Sequence, residues 1–340
     1  MAALHPAGES VRRTGALPSS PQGGAVTVLL VGIDGGGTGT RLRVATPGGA
    51  PVASGTGGPA NIATDPDQAW RSIADALAQT RAHLPRDAVL HVAAGLAGAE
   101  VHGARARFLT RRPADFATLI VETDAHTSCL GAHGGADGAI MAIGTGSIGY
   151  ALLTRAGETL RRRVGGWGFP QGDEGSGAWI GRRAVAAMLQ AHDGRIAPDA
   201  LTRACWSRLA IEDDPPAWAV NRRPAEFARL APLVLAADAE GSPQAAAILR
   251  DAAAEIDAQI AALCRPEGFA DLPLCLLGGL GQVFVPRLSP ESRRTLHAPR
   301  GNAVDGALLL ARQGLEAGTQ PGLRRLFSTD RQDSQPAGSP

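Results

Sequence analysis

The sequence predicts an α/β protein made of two domains, each with a mixed sheet and flanking helices. Its 340 residues are enough for two ordinary domains. From Val26 onward, the apolar patterning follows the order β-β-β-α-β-α-β-α, which is typical of a mixed sheet covered by helices. Each half also begins with a β-hairpin around a turn rich in glycine and threonine, at 34–40 and 144–147. Two similar halves that clamp one nucleotide between them would explain this repetition.

Composition excludes several classes of function. The formal net charge is +1, which gives no electrostatic reason to expect a nucleic-acid or membrane partner. The chain has no lysine, which excludes a Walker A phosphate loop and a Schiff-base lysine. We expect a cytoplasmic protein with a small-molecule partner; a homodimer is one option that the sequence leaves open.

The four cysteines, Cys129, Cys205, Cys264 and Cys275, are scattered along the chain. No pair has the close spacing of a zinc or iron–sulfur site, so we expect reduced and mostly buried thiols.

The first hairpin offers a candidate phosphate and magnesium site. Val26 to Asp34 is predicted as a buried strand, and Arg41 to Thr46 and Pro51 to Gly55 as the next two. Between the first two strands, glycines let backbone N–H groups approach a phosphate closely, and Asp34 supplies the carboxylate oxygen that Mg²⁺ prefers. This turn joins two strands and does not open a helix, so it is not a Rossmann fingerprint. A plain glycine turn is the alternative.

A candidate base follows at Asp124. The patterning predicts a helix over Asp65 to His83, a strand over Val89 to Ala94 and a helix ending near Leu109. Leu119 to Val121 is the next strand, and Asp124 stands just after it. A carboxylate at the mouth of such a strand points into the crevice where α/β proteins bind ligands.

The second half repeats the hairpin, with Gly144-Thr145-Gly146-Ser147 between strands at 139–143 and 148–153. Residues 164–177 then combine six glycines with Trp167, Phe169, Asp173 and Glu174. Polar groups beside an apolar face suit a sugar, although a structural loop with a helix-capping acid is the alternative. Beyond it we predict helices at 178–191, 199–207, 225–239, 243–264 and 302–313, and a strand at 274–277 that ends in Gly278-Gly279. Residues 1–24 and the polar stretch from Gly314 to Pro340 carry no such pattern.

Five motifs in order resemble the BadF/BadG/BcrA/BcrD-type ATPase family, within the superfamily of sugar kinases, actin and heat-shock ATPases. IDGGGTGTRL looks like its first phosphate loop, AIGTGSIGY the second and LLGGLGQVF the adenosine loop. VETDAHTSCLGA resembles the segment of the catalytic aspartate, and GGWGFPQGDEGSGAWIG the sugar-binding signature of the N-acetylglucosamine and glucosamine kinases. The match spans about residues 27 to 316. Within this signature, Phe169-Pro170-Gln171 departs from the family pattern at positions where related kinases vary, a difference that would reshape the pocket.

The resemblance implies two actin-like, ribonuclease H-like domains that close over ATP and a sugar. It divides the chain into a disordered extension at 1–24, a first domain at 25–134 plus 303–317, a second domain at 135–302 and a disordered tail at 318–340. It makes Asp124 the catalytic base and Asp34 the Mg²⁺ ligand. The residues it places near the nucleotide are Gly36, Gly37, Thr38, Thr40, Gly144, Thr145, Gly146, Ser147, Gly278 and Gly279. Those it places near the sugar are Asn61, Asp124, Thr145, Trp167 and Asp173.

The resulting hypothesis is transfer of the γ-phosphoryl group of ATP to the 6-hydroxyl of an amino sugar. Glucosamine is favoured over N-acetylglucosamine because an ammonium group wants a nearby carboxylate, which Asp173 and Glu174 would supply. Two rivals of the same superfamily are an ATP-driven electron-transfer activator and a sugar-sensing regulator. The first needs cluster-binding cysteines, and the second needs a DNA-binding helix-turn-helix for which residues 1–24 are too short. His126 is expected to be packed or capping, not catalytic.

Overall fold

The computed structural model describes residues 26–212 and 214–319. The first sheet has strands β1 (Val28–Gly35), β2 (Thr40–Ala45), β3 (Pro51–Gly57), β4 (Val89–Leu96) and β5 (Phe116–Thr123), in the order β3-β2-β1-β4-β5. The first three strands are antiparallel neighbours, whereas β4 runs parallel to β1 and β5 parallel to β4. The carboxyl ends of β1, β4 and β5 therefore meet at one edge of the sheet.

The second sheet repeats this arrangement. Its strands are β6 (Gly138–Ile143), β7 (Ser147–Arg155), β8 (Glu158–Gly165) and β9 (Leu274–Leu277), in the order β8-β7-β6-β9. An antiparallel run of three strands is again followed by a strand parallel to the first. The predicted α/β class with mixed sheets is confirmed, and the likeness of the two halves extends from the hairpins to four strands each.

Eleven helices surround the sheets in the described part of the chain. They are α1 (Pro66–Ala78), α2 (Ala104–Leu109), α3 (Asp124–His133), α4 (Gly177–His192), α5 (Ala200–Leu209), α6 (Pro224–Ala228), α7 (Ala231–Ala239), α8 (Pro243–Cys264), α9 (Gly281–Phe284), α10 (Pro290–Arg293) and α11 (Ala303–Thr319). Among these residues, no helix is both long enough and apolar enough to cross a bilayer.

Helices α3 and α11 pack together on one face of the first sheet, and α3 also contacts β6 and β7 of the second. Their axes approach closely because Gly131 and Gly306 have no side chain. A Cβ on Gly131 would lie 1.9 Å from the Asn302 carbonyl oxygen, and one on Gly306 would lie 1.9 Å from that of Thr127. A buried cluster then joins the sheets, with Leu30, Cys129 and Ile140 among its members. We call the first sheet with its helices the first lobe and the second sheet with its helices the second lobe.

Three differences from the sequence prediction have clear causes. Strand β8 was missed because ETLRRRVG is a polar edge strand whose charges hide the apolar alternation of a strand. The helix predicted at 225–239 is two helices, α6 and α7, with a break between Ala228 and Ala231.

The predicted polar tail from Gly314 was wrong as far as Thr319, because α11 continues to that residue. Gly314 looked like a helix end, but a Cβ there would lie 2.9 Å from Ile120 Cδ1, so the glycine permits close packing on the sheet. The predicted extension at 1–24 and the tail beyond residue 319 lie outside the described residues.

Candidate active site

A row of polar side chains crosses the carboxyl edge of the first sheet. Asp34 at the end of β1 pairs in register with Gly95, which pairs in turn with Glu122 at the end of β5. Side chains in register point to the same face, so Asp34 and Glu122 flank Gly95. A Cβ on Gly95 would lie 1.9 Å from Thr127 Oγ1, so the glycine lets α3 sit between the two acids.

Asp124 opens α3 at this edge. Thr123 caps the helix by accepting a hydrogen bond from the His126 amide, and Asp124 Oδ1 accepts one from the Ala125 amide at 2.9 Å. Burial raises the pKa of Asp124 to about 6; the Ala125 amide opposes the rise, and the negative charges of Glu100 and Asp34 add to it. The charge of Asp34 therefore acts on the Asp124 carboxylate, and the role of Asp124 as a base stays a prediction.

The first glycine turn, residues 36–39, projects beyond Asp34. It is closed by the Gly36 amide, which donates to the Gly39 carbonyl at 2.9 Å. Gly37 and Thr38 are exposed, and nothing lies within 4 Å of a Cβ placed on Gly37. Thr40 is buried, and its hydroxyl donates to the Gly58 carbonyl at 2.8 Å, so it braces the turn from behind. Gly37 and Thr38 are thus the members of the predicted set with room for a phosphate.

The second glycine turn, residues 144–146, stands at the equivalent place on the second sheet and is tied to the start of α4. The amides of Gly177 and Ala178 donate to the carbonyls of Gly144 and Thr145 at 2.8 and 3.1 Å. Thr145 is exposed, whereas Ser147 is buried and its hydroxyl donates to the Glu174 carbonyl at 2.7 Å. Ser147 therefore fixes the long glycine loop, residues 164–177, against this turn.

Asp173 lies where the long glycine loop meets the second turn. Its backbone has φ +59, the left-handed region that favours glycine, and a Cβ on Gly146 would lie 2.7 Å from Asp173 Oδ2. Burial raises the pKa of Asp173, while the Ser147 and Gly168 amides and the Arg163 charge oppose that rise. Trp167 on the same loop is 69% exposed, with the Arg163 guanidinium 4.6 Å above its ring. The loop therefore combines the exposed ring of Trp167 with the carboxylate of Asp173, which backbone amides hold in place.

The remaining predicted residues lie at the rims of the two lobes. Asn61 pairs with Ala97 after the end of β4, and its Oδ1 accepts from the Ala63 amide at 3.0 Å. Gly278 follows β9 with φ +83, and a Cβ there would lie 2.3 Å from the Ile143 carbonyl oxygen. Gly279 has open space around it. The Gly278 turn therefore adjoins the second glycine turn, at the end of the neighbouring strand.

Comparison with known proteins identifies the family to which this chain belongs. The model of the BadF/BadG/BcrA/BcrD ATPase family matches residues 31–311. This chain belongs to that family. It is 34% identical over 286 residues to the glucosamine kinase GspK of Vibrio cholerae, covering 83% of this chain and 95% of that protein.

Solved structures agree with this assignment. A candidate N-acetylglucosamine kinase from Chromobacterium violaceum superposes with a TM-score of 0.75 at 41% identity, covering 84% of this chain and 99% of that one. A second candidate N-acetylglucosamine kinase, from Porphyromonas gingivalis, gives a TM-score of 0.61 at 17% identity, over 85% and 99% of the two chains, and supports the fold alone. The predicted family, the two-domain actin-like fold and the class of sugar-kinase phosphotransferase are confirmed. The cytoplasmic location, the homodimer and the domain bounds stay predictions.

ATP use comes with membership of this ATPase family, and the donor set at the first turn fits Mg²⁺ beside it. Among the described residues, no three His, Cys, Asp or Glu side chains form a metal cage. Mg²⁺ needs only one or two protein carboxylates when phosphates and water complete its shell. Asp34 is such a carboxylate, 13% exposed and paired with Arg41 at 2.5 Å. The Arg41 side chain is 65% exposed, so it has solvent to move into when a cation takes its place.

Several charged residues of the cleft were missed by the sequence analysis. Glu100 follows the end of β4, and Glu122 precedes Asp124 by two positions. Arg161 and Arg163 lie on the unpredicted strand β8 and form ion pairs with Glu122 at 3.0 Å and Glu100 at 3.9 Å. The run Arg161-Arg162-Arg163 was the available signal, because alternate residues of a strand share a face.

His126 and the cysteines are structural, as expected. His126 is 4% exposed, its Nδ1 lies 3.2 Å from the Tyr150 hydroxyl, and burial lowers its pKa to about 4. Cys129, Cys205 and Cys275 are buried and Cys264 is half-buried. Three of the four thiols are therefore closed to a cluster shared at a surface.

Proposed function

We propose that this protein transfers the γ-phosphoryl group of ATP to the 6-hydroxyl of glucosamine, with N-acetylglucosamine as the second candidate substrate. The observation that carries the proposal is the placement of Asp124. It is a partly buried carboxylate with a raised pKa, at the edge of the first sheet and within electrostatic reach of Asp34. An acid of this kind, next to a phosphate-sized glycine turn, suits attack by a hydroxyl on a phosphoryl group.

Asp124 orients the sugar hydroxyl and accepts its proton as the new P–O bond forms. The hydroxyl is far less acidic than a carboxyl group, so holding it in line contributes more than full deprotonation before the reaction. The pKa of about 6 keeps Asp124 ionised at neutral pH, so it is able to accept the proton.

The phosphates lie between the two glycine turns in this proposal. Backbone amides at Gly37 and Gly146, with the hydroxyls of Thr38 and Thr145, donate to phosphate oxygens. The amides of Gly36 and Gly144 close the two turns by donating to the carbonyls of Gly39 and Gly146. Mg²⁺, when bound beside Asp34, neutralises charge on the β- and γ-phosphates. Thr40 and Ser147, whose hydroxyls are already bonded to backbone carbonyls, keep the turns in shape. Adenosine lies on the backbone at Gly278 and Gly279.

The sugar lies against Trp167, with Asn61 from the first lobe and Asp173 from the second fixing its hydroxyls. The side-chain oxygen of Asn61 already accepts hydrogen bonds from the Ala63 and Thr64 amides of its own loop. Its Nδ2 group is therefore the part that would donate to a sugar hydroxyl. Asp173 and Glu174 stand on the same loop as Trp167, and a carboxylate near the sugar favours a protonated amino group over a neutral acetamide. Residues 25–134 with 303–317 would form the domain of Asp124, and 135–302 that of Trp167.

Coupled ADP release across glucosamine, N-acetylglucosamine, glucose and N-acetylmuramic acid tests this proposal. We expect the highest kcat/KM with glucosamine. Asp124→Asn should lower kcat by at least ~10²-fold, the usual size of a general-base effect, while sugar binding persists in calorimetry. Normal turnover by that variant would show that Asp124 is not the base, and ADP release that ignores every sugar would reject the kinase assignment.

A further inference from the structure

Strand β8 presents two arginines to the first lobe. Arg161 and Arg163 are two positions apart and share one face of the strand. Arg162 points the other way and donates to the Ala262 carbonyl in α8 at 2.8 Å, within its own lobe. β8 is the outermost strand of the second sheet and leads directly into the long glycine loop. Whatever holds this strand therefore also holds the loop.

Arg161 reaches the strand end that carries the proposed base. Its Nη1 lies 3.0 Å from both carboxylate oxygens of Glu122. The Glu122 side chain is 12% exposed, and Arg105 of the first lobe approaches it at 3.5 Å. Because Glu122 and Asp124 are two residues apart at the junction of β5 and α3, movement of one displaces the other.

Arg163 joins the same region to the sugar side. Its Nη1 lies 3.9 Å from Glu100, one of the acids that raise the pKa of Asp124. Its Nε donates to the Gly165 carbonyl at 3.1 Å, and a second nitrogen donates to that of Gly166. The guanidinium also covers the ring of Trp167. One side chain thus contacts the first lobe and sets the start of the long glycine loop.

We propose that Arg161 and Arg163 are positioning residues that hold the end of β5 and the long glycine loop in one arrangement across the cleft. The inference rests on the proposed function for its kinetic consequences. Arg161 fixes the base relative to the second lobe, so it acts on turnover. Arg163 fixes Trp167 and the loop backbone, so it acts on sugar binding. We call Arg161–Glu122 and Arg163–Glu100 the cross-lobe pairs.

The contribution of the Arg161–Glu122 pair to holding the lobes together depends on how far the pair is shielded from water. The Glu122 side chain is 12% exposed, whereas that of Arg161 is 48% exposed, so the pair is shielded on the side of the acid only. Its loss should therefore matter more than that of a fully exposed pair and less than that of a buried one. Arg105 remains within the first lobe and supports Glu122 there, and the buried cluster that includes Leu30 and Ile140 still joins the sheets. Loss of Arg161 therefore loosens the hold of the first lobe on strand β8 without unfolding either lobe. The expected result is a folded protein with looser lobes.

The kinetic test compares Arg161→Gln, Arg163→Gln and the matched control Arg162→Gln, each of which removes one arginine from the same strand. We expect Arg161→Gln to lower kcat about ten-fold with a smaller change in sugar KM, a size typical of coupling between contacting residues. Arg163→Gln should raise the sugar KM by a similar factor, and Arg162→Gln should leave both constants unchanged. Arg161→Lys, which keeps the charge, should recover part of the lost turnover.

A second readout does not need activity. Small-angle scattering of the ligand-free protein should give a larger radius of gyration for Arg161→Gln than for Arg162→Gln, and raised ionic strength should expand the wild type toward it. The double variant with Glu122→Gln should be no looser or slower than Arg161→Gln alone. Equal scattering and equal kinetics for the Arg161 and Arg162 variants would overturn the inference. If no amino sugar is turned over but the scattering difference appears, the proposed function fails and the cross-lobe pairs stand.

Discussion

Replacing Asp124 with asparagine should lower kcat by at least ~10²-fold and yet make the ligand-free protein more stable. The reason is the cost of an ionised carboxylate in a shielded site: burial, with Glu100 and Asp34 nearby, raises the pKa of Asp124 from 3.8 to about 6. At 1.36 kcal/mol per pKa unit, this rise in pKa corresponds to a destabilisation of the native state by about 3 kcal/mol at neutral pH. Asparagine keeps the shape of the side chain without the charge.

The stability gained by Asp124→Asn should be smaller than this upper limit of about 3 kcal/mol. The carboxylate is partly open to water in the cleft, and asparagine brings two N–H donors that need partners, so we expect Asp124→Asn to gain about 1–2 kcal/mol. The sign depends on pH. A raised pKa means that the native state holds the proton more tightly than the unfolded chain, so the cost is absent below about pH 4 and complete above about pH 6. The advantage of the variant should therefore grow as the pH rises through this window.

Urea unfolding of both proteins at pH 7.5 and near pH 4 is the assay, with Asp75→Asn on the exposed face of α1 as the control. The control should change stability by less than about 0.5 kcal/mol at either pH, as surface substitutions usually do. If Asp124→Asn is less stable than wild type at pH 7.5, or if its advantage does not shrink toward pH 4, Asp124 is not under the electrostatic strain described here.

Three further predictions concern pH, the Gly278 turn and the helix α3. The kcat/KM of the wild type should fall below about pH 6, where Asp124 becomes protonated, and Glu100→Gln should move that limb to lower pH; a limb that stays in place would contradict the shared cleft. Gly278→Ala should lose about 1–3 kcal/mol in urea unfolding because of its φ of +83, whereas Gly279→Ala, which has open space, should not; equal losses would contradict this reading. Tyr150→Phe should cost about 1 kcal/mol by leaving the buried His126 without its partner, and an unchanged midpoint would show that the 3.2 Å contact contributes nothing.

Local chemistry was enough to predict where in the fold the candidate residues that lie in one stretch of chain would stand. The two glycine turns, Asp34 and Asp124 all stand beside apolar strands, and the end of a strand in an α/β protein already indicates where ligands lie. Helix α8 and strand β9 were predicted with their observed bounds because their apolar patterns are strong and their flanks polar.

The charged contacts across the cleft were not predictable in the same way. In the sequence these residues look like ordinary surface charges. Only the fold shows that Arg161 pairs with Glu122 and that Arg163 pairs with Glu100 across the two lobes. Gly314 shows the opposite difficulty. A glycine at this position is typical of a helix end, but here the helix continues. The small residue is needed because α11 packs closely on the sheet at Ile120, a tertiary contact that the sequence does not reveal.

Phosphorus NMR of the product formed from ATP and glucosamine shows whether a phosphoryl group is transferred to the sugar and which hydroxyl receives it. We expect a new phosphomonoester whose phosphorus couples to the two protons of the C6 methylene group, formed at least ~10²-fold more slowly when Asp124→Asn replaces the wild type. A phosphorus coupled to a single anomeric proton, or inorganic phosphate alone, would contradict it.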